Sequence, residues 1–216
     1  EGHSEDAAQL DAIASLEDLQ LRITSQRRRK RGLLKALFRN EPPQAVRGIY
    51  LWGGVGRGKT FLMDLFFESL AIEEKRRVHF HRMMHEVHER LKNLGRVENP
   101  LDEVAASIAR NTRVLCFDEF FVSDIGDAMI LAGLLDGLFK RGVTLVTTSN
   151  SRPDDLYKDG LQRQRFLPAI HLLNKNTDVI NMDGGTDYRL RLLQKAGTYL
   201  SPDDTIAAQK LNYFFD

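Results

Sequence analysis

The feature that most constrains this chain is a glycine-rich segment at 53–58. Four of its six residues are glycine, and the segment lies between a short apolar run at 48–52 and a stretch with helical periodicity at 60–70. Glycine adopts positive φ freely and lets a ligand approach the backbone, but it loses more conformational entropy on folding than any other residue. The segment therefore predicts a strand, a loop and a helix, with a ligand bound against the loop.

The loop has the spacing of a phosphate-binding motif, G-x-x-x-x-G-K-[ST]. Its residues are Gly53, Gly54, Val55, Gly56, Arg57, Gly58, Lys59 and Thr60. Inward-pointing backbone N–H groups and the positive N-terminal end of the next helix would hold a phosphate. Lys59 is predicted to reach the β- and γ-phosphates of a nucleotide, and Thr60 to place its hydroxyl on Mg²⁺. The alternative is a glycine-rich turn without a ligand, which the flanking strand and helix disfavour.

Two adjacent acids follow another apolar run, at 113–117. Parallel sheets bind ligands at the carboxyl ends of their strands, so Asp118 and Glu119 stand where a phosphate site needs a metal ligand and a base. Asp118 is predicted to hold Mg²⁺ through water, and Glu119 to orient and deprotonate an attacking water. The alternative is that these carboxylates cap the following helix.

A further strand is predicted at 143–148, which is almost wholly β-branched. Polar residues end this run at the same edge of the sheet. The last of them, Asn150, is predicted to hydrogen-bond the attacking water or the γ-phosphate. The alternative is an ordinary turn asparagine before Pro153.

Helices and strands alternate along the chain, which predicts an α/β protein with a parallel sheet covered on both faces. Strands are predicted at 48–52, 77–81, 113–117, 143–148 and 177–182. Helices are predicted at 7–23, 60–70, 101–109 and 125–139, and a further helix ends near 94. The stretch 154–174 is predicted to be helical with interruptions near Gly160 and Pro168. The sequence between Lys59 and Asp118 is long enough to contain an additional strand between the strand that precedes the glycine loop and the strand that precedes the two acids. Such a strand is typical of additional-strand ATPases. Three regions are predicted: an N-terminal helix and basic amphipathic segment at 1–47, a P-loop ATPase core at 48–198, and the start of a truncated C-terminal region at 199–216.

Composition excludes several classes of protein. The 216 residues carry a formal net charge of +1, so a nucleic-acid or membrane partner would have to bind a local patch. The single cysteine, Cys116, excludes an intrachain disulfide, fits a reducing compartment and is predicted to be buried without a redox role. No apolar run approaches the roughly 18 residues that a membrane span requires. The first residue is not Met and the last residues are largely apolar, which predicts a trimmed piece of a longer protein.

Five ordered blocks of sequence closely resemble the ZapE cell-division ATPase family, which has mitochondrial relatives and belongs to the AAA+ superfamily. The blocks are 50–60, 78–84, 115–125, 160–170 and 187–191. The resemblance implies a P-loop NTPase three-layer sandwich, with a parallel five-stranded sheet of order 5-1-4-3-2 and helices on both faces. It also implies hydrolysis of ATP with Mg²⁺ in a homo-oligomer whose sites are shared between subunits. The implied partner is FtsZ or another division protein, and the implied location is the cytoplasm, with a peripheral position at the inner membrane as an alternative.

An arginine finger is a further implication of the resemblance. A cation supplied by a neighbouring subunit stabilises the charge that spreads during phosphoryl transfer, and Arg163 and Arg165 are the candidates. Arg165, which Phe166 follows, resembles the finger motif of related ATPases and ranks first. The alternative is an exposed arginine pair on a helix.

Two other patterns suggest weaker hypotheses. His81, His85 and His88 share a helical spacing that misses the zinc pattern H-E-x-x-H, so packing or polar roles on the helix face are predicted. The segment 27–39 places an apolar helical face among basic residues. It is interpreted as a solvated insertion with a small docked helix, as a contact with an anionic membrane, or as a site for a protein or nucleic acid. Nucleic acid is disfavoured, because aromatic residues are not interleaved with the basic ones.

Two functions compete with ATP-driven rearrangement of a protein partner. The first is a nucleotide-gated binding module of the helicase-loader type that acts on single-stranded DNA, which predicts salt-sensitive binding to single strands. The second is a membrane-associated scaffold, which predicts vesicle binding that is lost when Leu33 and Phe38 are made polar.

Overall fold

The computed structural model describes residues 7–30 and 45–183, with side chains over 8–26 and 45–183. The helices are α1 (Ala7–Lys30), α2 (Lys59–Ser69), α3 (Phe80–Asn93), α4 (Pro100–Ala109), α5 (Ile125–Lys140) and α6 (Leu167–Asn176). The strands are β1 (Gly48–Trp52), β2 (Lys75–His79), β3 (Val114–Asp118), β4 (Thr144–Ser149) and β5 (Thr177–Asn181). Two short 3₁₀ turns, Pro153–Asp155 and Arg163–Arg165, lie between β4 and α6.

The strands form one parallel five-stranded sheet in the order β2-β3-β4-β1-β5. From the opposite edge this order is 5-1-4-3-2, so the predicted α/β P-loop fold is confirmed. β2 is the additional strand that was predicted from the length of sequence between the glycine loop and the two acids. The register sets His79 beside Asp118 and Trp52 beside Ser149, so the strands end together at one edge of the sheet. A ligand at that edge can meet residues from several strands.

Helices cover both faces of the sheet and give the three predicted layers. One core joins α1 and α2 to the sheet and includes Leu16, Leu19, Ile49, Leu51, Leu62, Phe66, Cys116 and Val146. The other joins α3, α4, α5 and α6 to the opposite face and includes Tyr50, Phe80, Met83, Phe117, Leu131, Leu145 and Leu173. Successive strand residues alternate between the two cores, as the pleat requires. The helix that follows the glycine loop therefore packs on the same face as α1.

Most of the predicted elements are confirmed to within a few residues. The predicted strand 77–81 was displaced: it is Lys75–His79, because Phe80 already begins α3. The predicted interruption near Pro168 is confirmed: Phe166 separates the 3₁₀ turn Arg163–Arg165 from α6, and the proline lies in the first turn of α6, where its missing N–H is not needed. The first helix continues past its predicted end to Lys30.

Residues 1–6, 31–44 and 184–216 lie outside the described residues. The sequence block at 187–191 and most of the basic segment 27–39 fall there, so the interpretations of that segment and the division into three regions stay predictions. Within 7–30 and 45–183, no helix combines the length and the apolar character that crossing a membrane requires.

Candidate nucleotide-binding site

The glycine-rich loop connects the end of β1 to the start of α2. Gly58 is the N-cap of α2 and has φ 81° and ψ 8°, a left-handed conformation that a side chain would strain. It has no side-chain oxygen to cap the helix. The positive N-terminal end of α2 therefore has no side-chain cap from this residue, which is the arrangement that suits an anion.

Lys59 is a nearly buried cation in this loop, with 8% of its surface exposed. Its Nζ donates to the carbonyl oxygens of Gly53 at 2.5 Å and Gly54 at 2.7 Å. It also donates to Oδ1 of Asn150, at 3.2 Å. Burial is the main cause that lowers the pKa of Lys59, and the nearby Asp183 carboxylate acts in the opposite direction. The ammonium thus lies between the loop and the end of β4.

A cavity of about 300 Å³ opens beside the loop. It is lined by Val55, Gly56, Arg57, Gly58, Lys59, Thr60, Glu119, Thr148, Ser149 and Asn150. The structure therefore brings the predicted phosphate loop together with Glu119 and Asn150, which come from two other strand ends. Asn150 therefore lines the cavity and contacts Lys59 through its amide oxygen.

Asp118 is the last residue of β3, immediately before the cavity-lining Glu119, and is 7% exposed. Its carboxylate is bound at two points by Arg77 of β2: Nε lies 2.7 Å from Oδ2, and Nη2 lies 3.1 Å from Oδ1. Arg77 also forms an ion pair with Asp64 of α2. The hydrogen bond with Asp118 is the largest cause that raises the pKa of Arg77, so this guanidinium stays charged. The sequence reasoning did not anticipate either contact.

Glu119 is exposed and has a φ of 53°, which is uncommon for a residue other than glycine. Its N–H donates to Oγ1 of Thr148 at 3.1 Å, and the N–H of Phe120 donates to the carbonyl oxygen of Thr148 at 2.7 Å. These bonds tie the turn after β3 to the end of β4. The capping alternative for the two acids is wrong, because Asp124 caps α5 by accepting two backbone N–H groups of its first turn.

The two candidate finger arginines have different surroundings. Arg163 is partly buried, and its Nη2 donates to the carbonyl oxygen of Asp154 at 2.6 Å. Arg165 is exposed, and its Nη1 donates to Oε1 of Gln162 at 3.1 Å. Neither arginine lines the cavity of its own chain within the described residues. The exposed Arg165 is thus the better placed of the two to meet another molecule.

A further carboxylate at the loop was missed by the sequence reasoning. Asp183 lies two residues after β5, and its Oδ1 accepts the N–H of Gly54 at 2.6 Å. The same oxygen lies 3.5 Å from Nε of Arg57. A Cβ at Gly53 would lie 2.9 Å from it, so this close approach depends on glycine. No sequence motif includes an acid after the last strand. The one sequence feature that points to Asp183 is that β5 ends at the same edge of the sheet as the strand before the glycine loop.

The histidines of α3 make separate contacts. Nε2 of His88 lies 2.8 Å from Oδ1 of Asp127 and connects α3 to α5. The ring of His81 stacks on that of His79 with centroids 5.8 Å apart. Within the part of the chain that the structure describes, no group of three or more His, Cys, Asp or Glu side chains is arranged to hold a metal. Cys116 is buried as predicted, and burial raises the pKa of its thiol to about 12.

Comparison with known families gives a match to the AFG1-like ATPase family over residues 1–216. The chain belongs to this family. It is 59% identical over 164 residues to the cell division protein ZapE of Escherichia coli K12, a match that covers 75% of this chain and 44% of that protein. It is 42% identical over 186 residues to lactation elevated protein 1 homolog B of Danio rerio, covering 81% of this chain and 37% of that protein. The chain thus spans less than half the length of these AFG1-like relatives, and the resemblance to the ZapE family is confirmed.

Solved structures agree with the fold of this AFG1-like ATPase. DnaI matches with a TM-score of 0.56 and 17% identity, over 83% of this chain and 87% of that chain. The DnaC helicase loader matches with a TM-score of 0.51 and 16% identity, over 83% and 93% of the two chains. At this level of identity the likeness shows the fold alone.

Proposed function

We propose that this chain hydrolyses ATP with Mg²⁺, as the nucleotide-binding part of a ZapE-like AAA+ ATPase. The observation that carries the proposal is the single cavity where the glycine loop, Glu119 and Asn150 meet. A glycine-rich turn without a ligand would not need a buried lysine, an acid and an amide at the same opening. Membership of the AFG1-like ATPase family supports the same conclusion.

ATP would bind with its phosphates against the loop backbone. The N–H groups from Val55 to Thr60 and the N-terminus of α2 supply fixed positive charge there. Lys59 would exchange its present carbonyl partners for the β- and γ-phosphates, which compensate its buried charge better than neutral carbonyl oxygens do. Asp183 accepts the N–H of Gly54 and would steady the half of the loop that precedes the phosphates.

The residues present fit a magnesium ion. Thr60 is exposed at the cavity next to Lys59, and Asp118 ends the strand beside Glu119, so the site offers the hydroxyl and carboxylate oxygens that Mg²⁺ takes from proteins. A magnesium ion held there would supply positive charge to neutralise the phosphates of the nucleotide. Asp118 keeps acceptor capacity for this role, because a carboxylate has about four lone-pair sites and Arg77 occupies two.

Hydrolysis requires a positioned water. Glu119 would accept the proton of that water, and Asn150 would hydrogen-bond the water or the γ-phosphate. Arg165 of a second copy would stabilise the transferred phosphoryl group, with Arg163 as the weaker candidate because its guanidinium is already bound to the carbonyl oxygen of Asp154.

The test is ATPase activity per molecule across a wide range of protein concentration. We expect specific activity to rise with concentration if sites are shared. Lys59→Ala should lose ATP binding, Glu119→Gln should bind ATP without turnover, and Arg165→Ala should bind ATP while turnover falls about 1,000-fold or more. Arg152→Ala, an exposed arginine nearby, is the matched control and should behave as the unsubstituted chain does. Wild-type turnover by Glu119→Gln would remove Glu119 as the base, and flat activity that is insensitive to Arg165→Ala would remove the shared site.

We propose further that the partner is a division protein, FtsZ or a similar one, and that the protein works in the cytoplasm or at the inner face of the inner membrane. The support is the 59% identity to a protein named for cell division. Co-sedimentation with FtsZ polymers, with ATP and Mg²⁺, tests this, and Lys59→Ala is the nucleotide-free control. Binding to single-stranded DNA or to anionic vesicles in place of FtsZ would favour the helicase-loader or the membrane-scaffold alternative.

A further inference from the structure

Arg77 binds Asp118 and Asp64, which lie on the strand and the helix that carry the two proposed metal-holding residues, Asp118 and Thr60. It lies on β2, opposite Cys116 of β3, so its side chain is on the face of the sheet that α2 covers. From there it binds Asp118 at the end of β3 and Asp64 in α2. Three elements therefore meet at the guanidinium of Arg77, whose side chain is 22% exposed.

The contact with Asp118 fixes the orientation of a carboxylate. Two hydrogen bonds, at 2.7 and 3.1 Å, join two nitrogens of the planar guanidinium to the two carboxylate oxygens. A two-point contact of this kind determines the rotation of the carboxylate as well as its distance, which a single bond does not. With only 10% of its side chain exposed, Asp118 would otherwise be an almost buried charge without compensation.

The contact with Asp64 joins Arg77 to α2, the helix that follows the phosphate loop. Asp64 is four residues after Thr60 in α2, so the two side chains lie on the same side of the helix, one turn apart. Arg77 thus connects the strand that ends in Asp118 to the helix that begins beside Thr60.

We propose that Arg77 is a positioning residue of the hydrolysis site: it holds the Asp118 carboxylate in a fixed orientation and at a fixed distance from Thr60. The inference rests on the proposed function, because it assumes that these two residues serve Mg²⁺. Arg77 acts through Asp118 and need not touch the nucleotide.

The neighbouring arginine provides a matched control. Arg76 is adjacent in the same strand and also binds a carboxylate, that of Glu86 in α3. Its side chain points to the opposite face of the sheet, as the alternation along a strand requires, and it does not line the cavity among the described residues. Removing Arg76 therefore removes a comparable ion pair and leaves Asp118 untouched.

The experiment is a Mg²⁺ titration of the binding of a fluorescent, non-hydrolysable ATP analogue, with turnover and thermal unfolding measured on the same samples. Arg77→Lys keeps the charge but can hold only one carboxylate oxygen in line. We expect it to raise the Mg²⁺ concentration for half-saturation by roughly 10- to 100-fold, the usual effect of removing a residue that orients a metal ligand. Its kcat should fall while KM for ATP in excess Mg²⁺ stays near the unsubstituted value.

Three further variants make the outcome decisive. Asp64→Asn should give a smaller shift in the same direction, and Arg76→Gln should give none. An unchanged Mg²⁺ titration in Arg77→Lys, or an equal shift in Arg76→Gln, overturns the inference. Asp118→Asn separates this failure from failure of the proposed function: if it leaves the titration unchanged, the metal role of Asp118 is wrong, whereas if it shifts the titration and Arg77→Lys does not, only the role of Arg77 is wrong.

Discussion

Thr148→Val tests whether the end of β4 holds Glu119 in its working position. Thr148 is 3% exposed, and its Oγ1 accepts the N–H of Glu119 at 3.1 Å. Valine has nearly the same shape but no acceptor oxygen, so the substitution leaves this partly buried N–H without its partner. The left-handed backbone of Glu119, with φ 53°, carries strain of its own that the hydrogen bond helps to offset.

The expected magnitude follows from that one bond. Leaving a buried donor unsatisfied costs about 1–3 kcal/mol, and this N–H is only partly buried, so we expect about 1–2 kcal/mol. If the turn relaxes and Glu119 leaves its position, the same free energy appears in the barrier to hydrolysis, and kcat falls roughly 5- to 30-fold. ATP affinity should change much less, because the phosphate loop keeps its own contacts. The free energy of unfolding should fall by an amount within the same range.

The assay combines steady-state turnover, equilibrium binding of ATP and denaturant unfolding. Thr148→Ser restores an oxygen and should return turnover towards the original value. Thr147→Val is the matched control, since Oγ1 of Thr147 donates to the carbonyl oxygen of Phe117 at 3.2 Å and does not contact Glu119. It should lose about 1 kcal/mol of stability and keep its turnover. Normal turnover in Thr148→Val, or an equal loss in Thr147→Val, would refute the reasoning.

Three other substitutions or conditions have defined outcomes. Because burial raises the pKa of the Cys116 thiol to about 12, a thiol reagent at pH 8 should label it only after unfolding, and labelling of the native protein would contradict its burial. The hydrogen bond from Arg76 is the main cause that lowers the pKa of Glu86, so this ion pair stabilises the fold at neutral pH and stops doing so as pH falls through the lowered pKa. Glu86→Gln should therefore flatten the acid side of the curve of unfolding free energy against pH. An unchanged acid side would count against a stabilising role for the ion pair. A Cβ at Gly48 would lie 1.8 Å from the carbonyl oxygen of Leu145, so Gly48→Ala should lower the free energy of unfolding by about 1–3 kcal/mol or more, and equal stability in urea would be inconsistent with this packing.

Sequence patterns predicted the parts of the site that are local in the chain. The glycine loop, the lysine after it and the helix start are eight consecutive residues, so their chemistry is visible without knowledge of the fold. The acids and Asn150 were recognisable because each follows an apolar strand, and parallel strands end at one edge. The order of the strands came from the resemblance to a family, since alternation of helices and strands alone does not fix which strands are neighbours.

Contacts between distant residues were not predictable in the same way, and Arg77 shows why. The sequence offers two adjacent arginines in β2, and the alternation of a strand puts them on opposite faces, but it does not say which faces α2. The predicted strand began at 77, two residues after the true start, and no pattern in the sequence determines the register against β3. Only the pairing of Arg77 with Cys116 puts its guanidinium on the face of Asp118 and Asp64 and sends Arg76 to the other side. A shift of this register by one residue would exchange the two arginines, so the geometry of the proposed metal site depends on sheet pairing as much as on its motifs.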